Sequence, residues 1–348
     1  IRSILHFNRA EMFINDSLWT ISPDNMLIFG PRYYYFRDLA FVGGKQKLDI
    51  SGVISESPED TLKLDFERWR LSNFDILFTN YNFDLNGITN GYFGVSNVYG
   101  LPGIMADVTI SGFELNNVLI GDAEIRSSWD SFKESVDLSA EIIRHGNVSD
   151  SRVFSMNGSY YPGRERDNLD FDLKVENFRM EALERFASGF ISDLSGVASA
   201  DFKLRGSDTD PLLTGWIKLM RTECRVDYLN TKYSLAHTID FNPRAIVINN
   251  LVVYDSLGNQ AVANGVISHR NLSDFNFDIT LNPKNFLGLK TDRYQNNTFY
   301  GTAVATGQVR FFGPPDKFHI DADLTTEKGT DFVIPLNTSI TVTENDFV

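Results

Sequence analysis

A set of landmarks returns about every 106 residues along this 348-residue chain, and that recurrence limits what it can fold into. Gly52, Gly158 and Gly265 mark the first register. The alternating pairs Leu62/Leu64, Leu169/Phe171 and Phe275/Phe277 follow; then come Asn73-Phe74, Asn177-Phe178 and Asn285-Phe286, each expected to open a short excursion out of strand. Gly87, Gly196 and Gly301 re-enter strand, and residues 100–102, 206–211 and 313–315 supply the next turn. A period this long, reusing glycines and strands with no reactive residue in register, is the mark of an architecture built by stacking. It makes 1–348 one continuous elongated segment of approximate units 1–52, 53–158, 159–265 and 266–348, the outer two partial.

Between the landmarks the pattern is strict alternation. Ile104, Ala106, Val108 and Ile110 point one way along their segment, as do Leu169, Phe171 and Leu173 along theirs. Ala198, Ala200, Phe202 and Leu204, then Phe275, Phe277 and Ile279, then Phe318, Ile320, Ala322 and Leu324 repeat the theme, with acids, lysines and serines between them. Each segment reads as a strand with one apolar and one wet face, the pattern of antiparallel sheets. Asn86-Gly87, Asn157-Gly158, 257–259, Asn264-Gly265 and 313–315 read as turns. Helix is scarce. Residues 177–194 carry the best helical stripe, through Met180, Leu183, Ala187, Phe190, Ile191 and Leu194. Such a helix would cover the apolar face of the sheet, or act as a gate that moves aside for a ligand.

Composition narrows the function. The net charge is −14, with no basic cluster among the aromatics, which disfavours nucleic acid and charge-driven docking on anionic lipid. Aromatics reach 13% and include 28 Phe, which favours strands. The single Cys224 excludes an internal disulfide and a cysteine-based metal site. No run reaches the ~18 apolar residues of a membrane-spanning helix, and Ile1 opens no charged, apolar leader. Any anchor or export signal is therefore expected outside these residues.

A search for reactive groups returns little. His6, His145, His237, His269 and His319 are scattered without ligand spacing and are expected on wet strand faces. Asp208-Thr209-Asp210 lies between Gly206 and Pro211 and reads as a turn rather than a metal-binding DxD. Asp321 and Asp323 share one wet strand face, and Gly87, Gly91 and Gly94 lack the strand-to-helix context of a dinucleotide site. Trp19, Trp69, Trp129 and Trp216 are spread singly, as core anchors are. No cofactor, metal or catalytic set is expected, and the chain does not read as an enzyme. What remains is the apolar face. It can be covered by closing the sheet into a sandwich or barrel, or left as an open U whose groove takes a ligand, a helix or lipid chains.

Several phrases resemble the TamB family of bacterial envelope proteins, within the AsmA-like superfamily. They are the run 210–215 (Asp-Pro-Leu-Leu-Thr-Gly), Val226-Asp227-Tyr228-Leu229 with Tyr233, and 255–259 (Asp-Ser-Leu-Gly-Asn) followed by 264–269 (Asn-Gly-Val-Ile-Ser-His). Phe299-Tyr300-Gly301 with Thr306-Gly307 and Gly313 fits, as does Gly329-Thr330 with Ile334-Pro335-Leu336. The wording is most similar to Bacteroidota-type members and covers residues from about Asn157 onward, as an internal or C-terminal-half fragment that stops before the family's terminal segment. The resemblance implies a mainly β, U-shaped "β-taco" with one or a few short helices. It implies a non-enzymatic protein that spans the periplasm from an inner-membrane anchor to the outer membrane. Phospholipid acyl chains, an Omp85-type barrel (TamA/BamA-like) and nascent outer-membrane proteins are the implied partners. Lipid conduction is the implied role, with β-barrel assembly through strand edges as the alternative. No catalytic residues carry over, so the candidate site is the eighteen alternating residues from Ile104 to Leu324 named above.

Overall fold

The computed structural model describes residues 2–335 apart from 9, 15–16, 78–83 and 297. In chain order the strands are β1 (Ser3–Leu5), β2 (Glu11–Ile14), β3 (Ser17–Ile21), β4 (Met26–Gly30), β5 (Tyr33–Gly43), β6 (Gln46–Ile54), β7 (Thr61–Arg70), β8 (Leu85–Ser96), β9 (Gly103–Leu115), β10 (Val118–Asp130), β11 (Ser135–Arg144) and β12 (Ser151–Tyr160). They continue as β13 (Leu169–Arg179), β14 (Ile191–Gly206), β15 (Pro211–Val226), β16 (Thr231–Asn242), β17 (Ala245–Asp255), β18 (Gln260–Arg270), β19 (Ser273–Lys284), β20 (Phe286–Thr291), β21 (Tyr300–Gly313), β22 (His319–Thr326) and β23 (Asp331–Val333).

All 23 belong to one antiparallel sheet. From β5 to β19 every strand pairs with the next in sequence, a pure meander. At the ends, rows are built from two collinear strands: β1 with β2, β3 with β4, β19 with β20, and β22 with β23. The 23 strands thus fill 19 rows, on the order of 90 Å of sheet at ~4.8 Å per row. Among the described residues no pairing joins the first row to the last, so the sheet stays open. Its accessible surface, 21318 Å², exceeds the roughly 14,000 Å² of a compact chain of 39.4 kDa by about half.

A line of β-bulges bends the sheet. In β7, β9, β13 and β17, and at the junction of β19 with β20, two residues oppose one on the next strand, which kinks the strand and increases its twist. The second residue of each bulge is left-handed: Arg68 (φ 50°), Gly112 (63°), Asn177 (49°), Asn250 (53°) and Asn285 (50°). Each turns its N–H out of the ladder, and a short side chain on the next strand accepts it. Asn90 Oδ1 accepts from Arg68 at 2.8 Å and Asp122 Oδ1 from Gly112 at 2.7 Å. Ser199 Oγ accepts from Asn177 at 3.1 Å, Asn264 Oδ1 from Asn250 at 2.7 Å, and Thr306 Oγ1 from Asn285 at 2.8 Å.

The recurring glycines stand beside this crease. A Cβ on Gly52, Gly158 or Gly265 would lie 2.0, 2.0 and 2.2 Å from the carbonyl oxygens of Thr61, Asp170 and Asp278 on the next strand. Close approach of the backbones, not a turn, is what these positions require. The Asn-Gly expectations are corrected accordingly: Asn86-Gly87, Asn157-Gly158 and Asn264-Gly265 lie inside β8, β12 and β18. Residues 256–259 and the segment after Gly313 do turn.

The bulge line divides each strand into two arms. One rim carries the turns 97–102, 161–168, 207–210 and 271–272; the other carries 44–45, 116–117, 227–230 and 256–259. On the second rim the sheet rolls onto itself three times. Trp19 of β3 and Trp69 of β7 meet with ring centroids 4.9 Å apart, although three row steps on a flat sheet would separate them by ~14 Å. The 3-10 turn Met180–Ala187, after β13, reaches back to the β9–β10 turn, where Asn116 Nδ2 donates to Ala182 O at 2.8 Å. Ile120, Val153 and Ala182 form a fully buried cluster there. Tyr233 of β16 stacks on Phe286 of β20 at 5.2 Å and donates its hydroxyl to Leu287 O at 3.1 Å. The buried Asp255 carboxylate accepts the Leu287 N–H at 2.7 Å and two N–H groups of its own turn. We call this the clasped arm and the other the open arm.

Two further expectations change. Residues 177–194 do not make one helix: Asn177 is a bulge, Met180–Ala187 is 3-10, and Ile191 and Leu194 already belong to β14. The apolar stripe was instead split between a clasp and a strand. The Asn-Phe pairs are not equivalent excursions either. Asn73-Phe74 sits in the 3-10 turn Leu71–Leu77, whereas Asn285-Phe286 keeps its row in strand.

Gly265→Ala is expected to lower the unfolding free energy by about 2 kcal/mol or more, because the added methyl meets backbone. Gly288→Ala, whose methyl would find its nearest atom at 3.9 Å, should stay within about 1 kcal/mol. Equal urea midpoints for the two variants would contradict the close-approach argument. Burial pushes the Tyr233 phenol up to about 12. The unfolded phenol ionises near 10, so this group favours the folded state below pH 10. That contribution is lost as pH rises from 10 towards 12, at about 1.4 kcal/mol per pH unit. Tyr233→Phe should flatten this part of an alkaline stability profile.

Candidate functional site

Cross-strand register carries one face through the whole sheet. Leu173 faces Phe202, Ala200 faces Ile217, Ile239 faces Ile217, and Ile246 links Phe241 to Ile267. Ile267 then faces Phe277, Ile279 faces Phe311, and Phe311 faces Ile320. In the other direction Phe171 faces Gly158, which faces Leu138, and Ile125 faces Val108. Val108 faces Gly91, and Phe93 faces Leu64, which faces Ile50.

All eighteen sequence-derived residues fall on this one face, on the open arm or at the crease. They do not behave alike. Ala106, Ile110, Phe171, Ala198 and Ala200 are buried, close to the crease or under neighbouring side chains. Ile104, Val108, Leu169, Leu173, Phe202, Leu204, Phe275, Phe277 and Ile279 are only partly covered. At the last row Ile320 is 59% exposed, with Phe318, Ala322 and Leu324 also exposed; Phe318 packs its ring on Phe277 and Phe311. The open arm is therefore lined by apolar groups that the protein covers only in part.

Through all described strands from β4 to β22, register places no Asp, Glu, Lys or Arg on this face of the open arm. The charges lie on the opposite face, in pairs such as Lys63–Asp65 (2.7 Å) and Arg310–Asp278 (2.9 Å). Shallow depressions there are lined by polar groups, among them Asp107, Arg126, Asp137 and Ser139. Polar side chains that do reach the apolar face are neutral. Ser127 donates to Ile104 O at 2.8 Å. His269 is buried beside Phe275, and burial pushes its imidazole below the ordinary value.

His237, opposite Leu219, also sits on the apolar face, so two of the five histidines are not on the wet face as expected. Trp216 departs the other way: it faces Asp201 and Asp240 on the wet side, 38% exposed, and anchors no core. Sequence alternation missed several lining residues. Phe241, Ile267 and Phe311 belong to the lane with Ile246, but small or polar neighbours on the same face, such as His237, Gly265 and Gly307, interrupt the apolar alternation that would have revealed them. Among the described residues no group of three or more His, Cys, Asp or Glu side chains could hold a metal. Burial pushes the Cys224 thiol up. No described helix is long and apolar enough to cross a membrane.

Comparison with curated proteins and with solved structures finds no match. A family model does match: the TamB C-terminal domain, over residues 249–348. Its described part, from β17 to β23, holds Phe286, Leu287 and Asp255 of the third clasp and the most exposed stretch of the apolar lane. Over these residues the chain is similar to the TamB C-terminal domain.

Proposed function

We propose that this chain is a non-enzymatic segment of a bridge that conducts phospholipid between the inner and outer membranes and so supports outer-membrane biogenesis. One observation carries the reading: an uncharged apolar lane, continuous over rows ~4.8 Å apart, left partly uncovered along one arm. Acyl chains gain about 0.8 kcal/mol per buried CH₂, so such a lane holds lipid tails without a specific pocket. The eighteen residues from Ile104 to Leu324 are the proposed lipid contacts, the partly covered ones above all. The similarity to the TamB C-terminal domain supports an envelope location. On this reading the chain is one continuous segment in the periplasm, between an inner-membrane anchor and an Omp85-type barrel of the TamA/BamA kind.

A second reading has its own support. Every residue of β22 is exposed, and among the described residues it pairs on one edge only, with β21. An open edge can template nascent β-barrel strands by augmentation. Crosslinks from β22 to substrate barrel strands, rather than to lipid, would favour that role.

Phe202→Asp or Phe277→Asp places a carboxylate among the tails at a cost of about 3 kcal/mol, which corresponds to roughly a hundredfold lower lipid flux. Lys203→Asp, on the wet face of the same strand, should leave flux unchanged. Pulse-labelled phospholipid reaching the outer membrane measures this, with circular dichroism to check the fold. Unaltered flux in both folded Phe variants would rule the lane out as the conduit.

A further inference from the structure

The two arms share one face but differ in what fills them. On the clasped arm the inward side chains are spent on each other: Trp19 against Trp69, Ile120 and Val153 against Ala182, and Tyr233 against Phe286, with Leu287 and Leu289 buried beside them. Side-chain hydrogen bonds to backbone carbonyls lock two of the three contacts, from Asn116 to Ala182 O and from Tyr233 to Leu287 O. A third bond, from Asn230 Nδ2 to Lys290 O at 2.7 Å, ties the β15–β16 turn to β20. Facing apolar surfaces already in contact leave no room for a hydrocarbon chain.

Among the described residues the open arm's ring contacts, Phe202 with Phe241 and Phe277 with Phe318, reach only two rows along the face and leave these rings partly uncovered or exposed. The rim of this arm is held from turn to turn instead. Asp208 N donates to Asn168 Oδ1 at 3.0 Å, and Arg244 bridges Asp210 and Asn271 at 2.8 Å each. These bonds run along the lip and leave the face uncovered.

We infer that lipid tails occupy the open arm alone, as a single file between the crease and the lip braced by Arg244, and that the clasped arm is a permanent filled wall. The inference rests on the lipid-conduit reading and narrows it to half of each strand. The occupant is hydrocarbon rather than an extended peptide. On the open arm every strand from β5 to β19, and β21, already pairs on both sides, and the arm's face offers no charged group. A peptide laid on it would bury unpaired N–H and C=O groups, whereas an acyl chain has none to satisfy.

The test replaces one phenylalanine at a time with the photoreactive p-benzoylphenylalanine in the full chain. Phe202 and Phe277 report on the open arm, Phe178 and Phe286 on the clasped arm. After irradiation with phosphatidylethanolamine vesicles, intact-mass spectrometry should find lipid adducts at 202 and 277 and none above the dark control at 178 and 286. Adducts at all four positions would overturn the single-file lane and leave lipid conduction standing. Adducts at none would remove lipid conduction and the lane with it. Because a probe at buried Phe286 can loosen the clasp, hydrogen exchange on the unaltered protein gives an independent reading. Vesicles should slow exchange in the open-arm halves of β14 and β19 and leave residues 286–291 unchanged; added protection at 286–291 would contradict the filled wall.

Discussion

An N–H group turned out of a β-ladder needs a new acceptor, and a side chain on the next strand fixes the bend in a way that solvent water does not. The shape of this molecule depends on how that requirement is met at the crease. Five of the bulges each expel one N–H to which the next strand offers an Asn, Asp, Ser or Thr oxygen, whereas the β15 bulge at Arg221 stands opposite Ala236. Because these bonds are solvent-exposed, the acceptors do not rescue buried donors; they tie each kinked strand to its neighbour where water would otherwise take the N–H. With them, the bend is local, repeated and compatible with continuous pairing on both sides. The glycines beside the crease then let neighbouring backbones approach where any methyl would strike a carbonyl oxygen.

The bend has unequal consequences for its two sides. On one side curvature brings rows three steps apart into contact, and aromatic stacks and side-chain bonds to backbone carbonyls close each roll. Stability concentrates there: Trp19, Ile120, Val153, Ala182 and Ala261 are completely buried. On the other side the rows stay spread, held by polar bonds at the lip, and their phenylalanines remain partly uncovered. One sheet thus separates the work of holding together from the work of presenting an apolar surface. No compact core could do both over this length.

Much of this was legible in the sequence. Alternation along Ala198–Leu204 or Phe275–Ile279 fixes which side chains share a face, because the period of two admits no other reading in an extended strand. Openness was not legible, since the same alternation serves a closed sandwich. Asn264-Gly265 shows why local signals misled: the dipeptide of a tight hairpin turn is here an acceptor for Asn250 followed by a gap for Asp278 O, both in mid-strand. The stripe over 177–194 failed for a related reason. Its residues satisfy a helical period, but Asn177 is committed to the crease and Ile191 to a ladder with Val226. The clasps had no sequence signal of their own, because they depend on curvature accumulated over three strands.

The direction of the hydrogen bonds has a mechanical corollary. They run along the length of the sheet, from row to row, and not across it. Tension between the two ends would therefore pull each ladder open bond by bond, like a zipper, instead of loading all of its bonds together in shear. The array is expected to be compliant lengthwise and stiff along its strands.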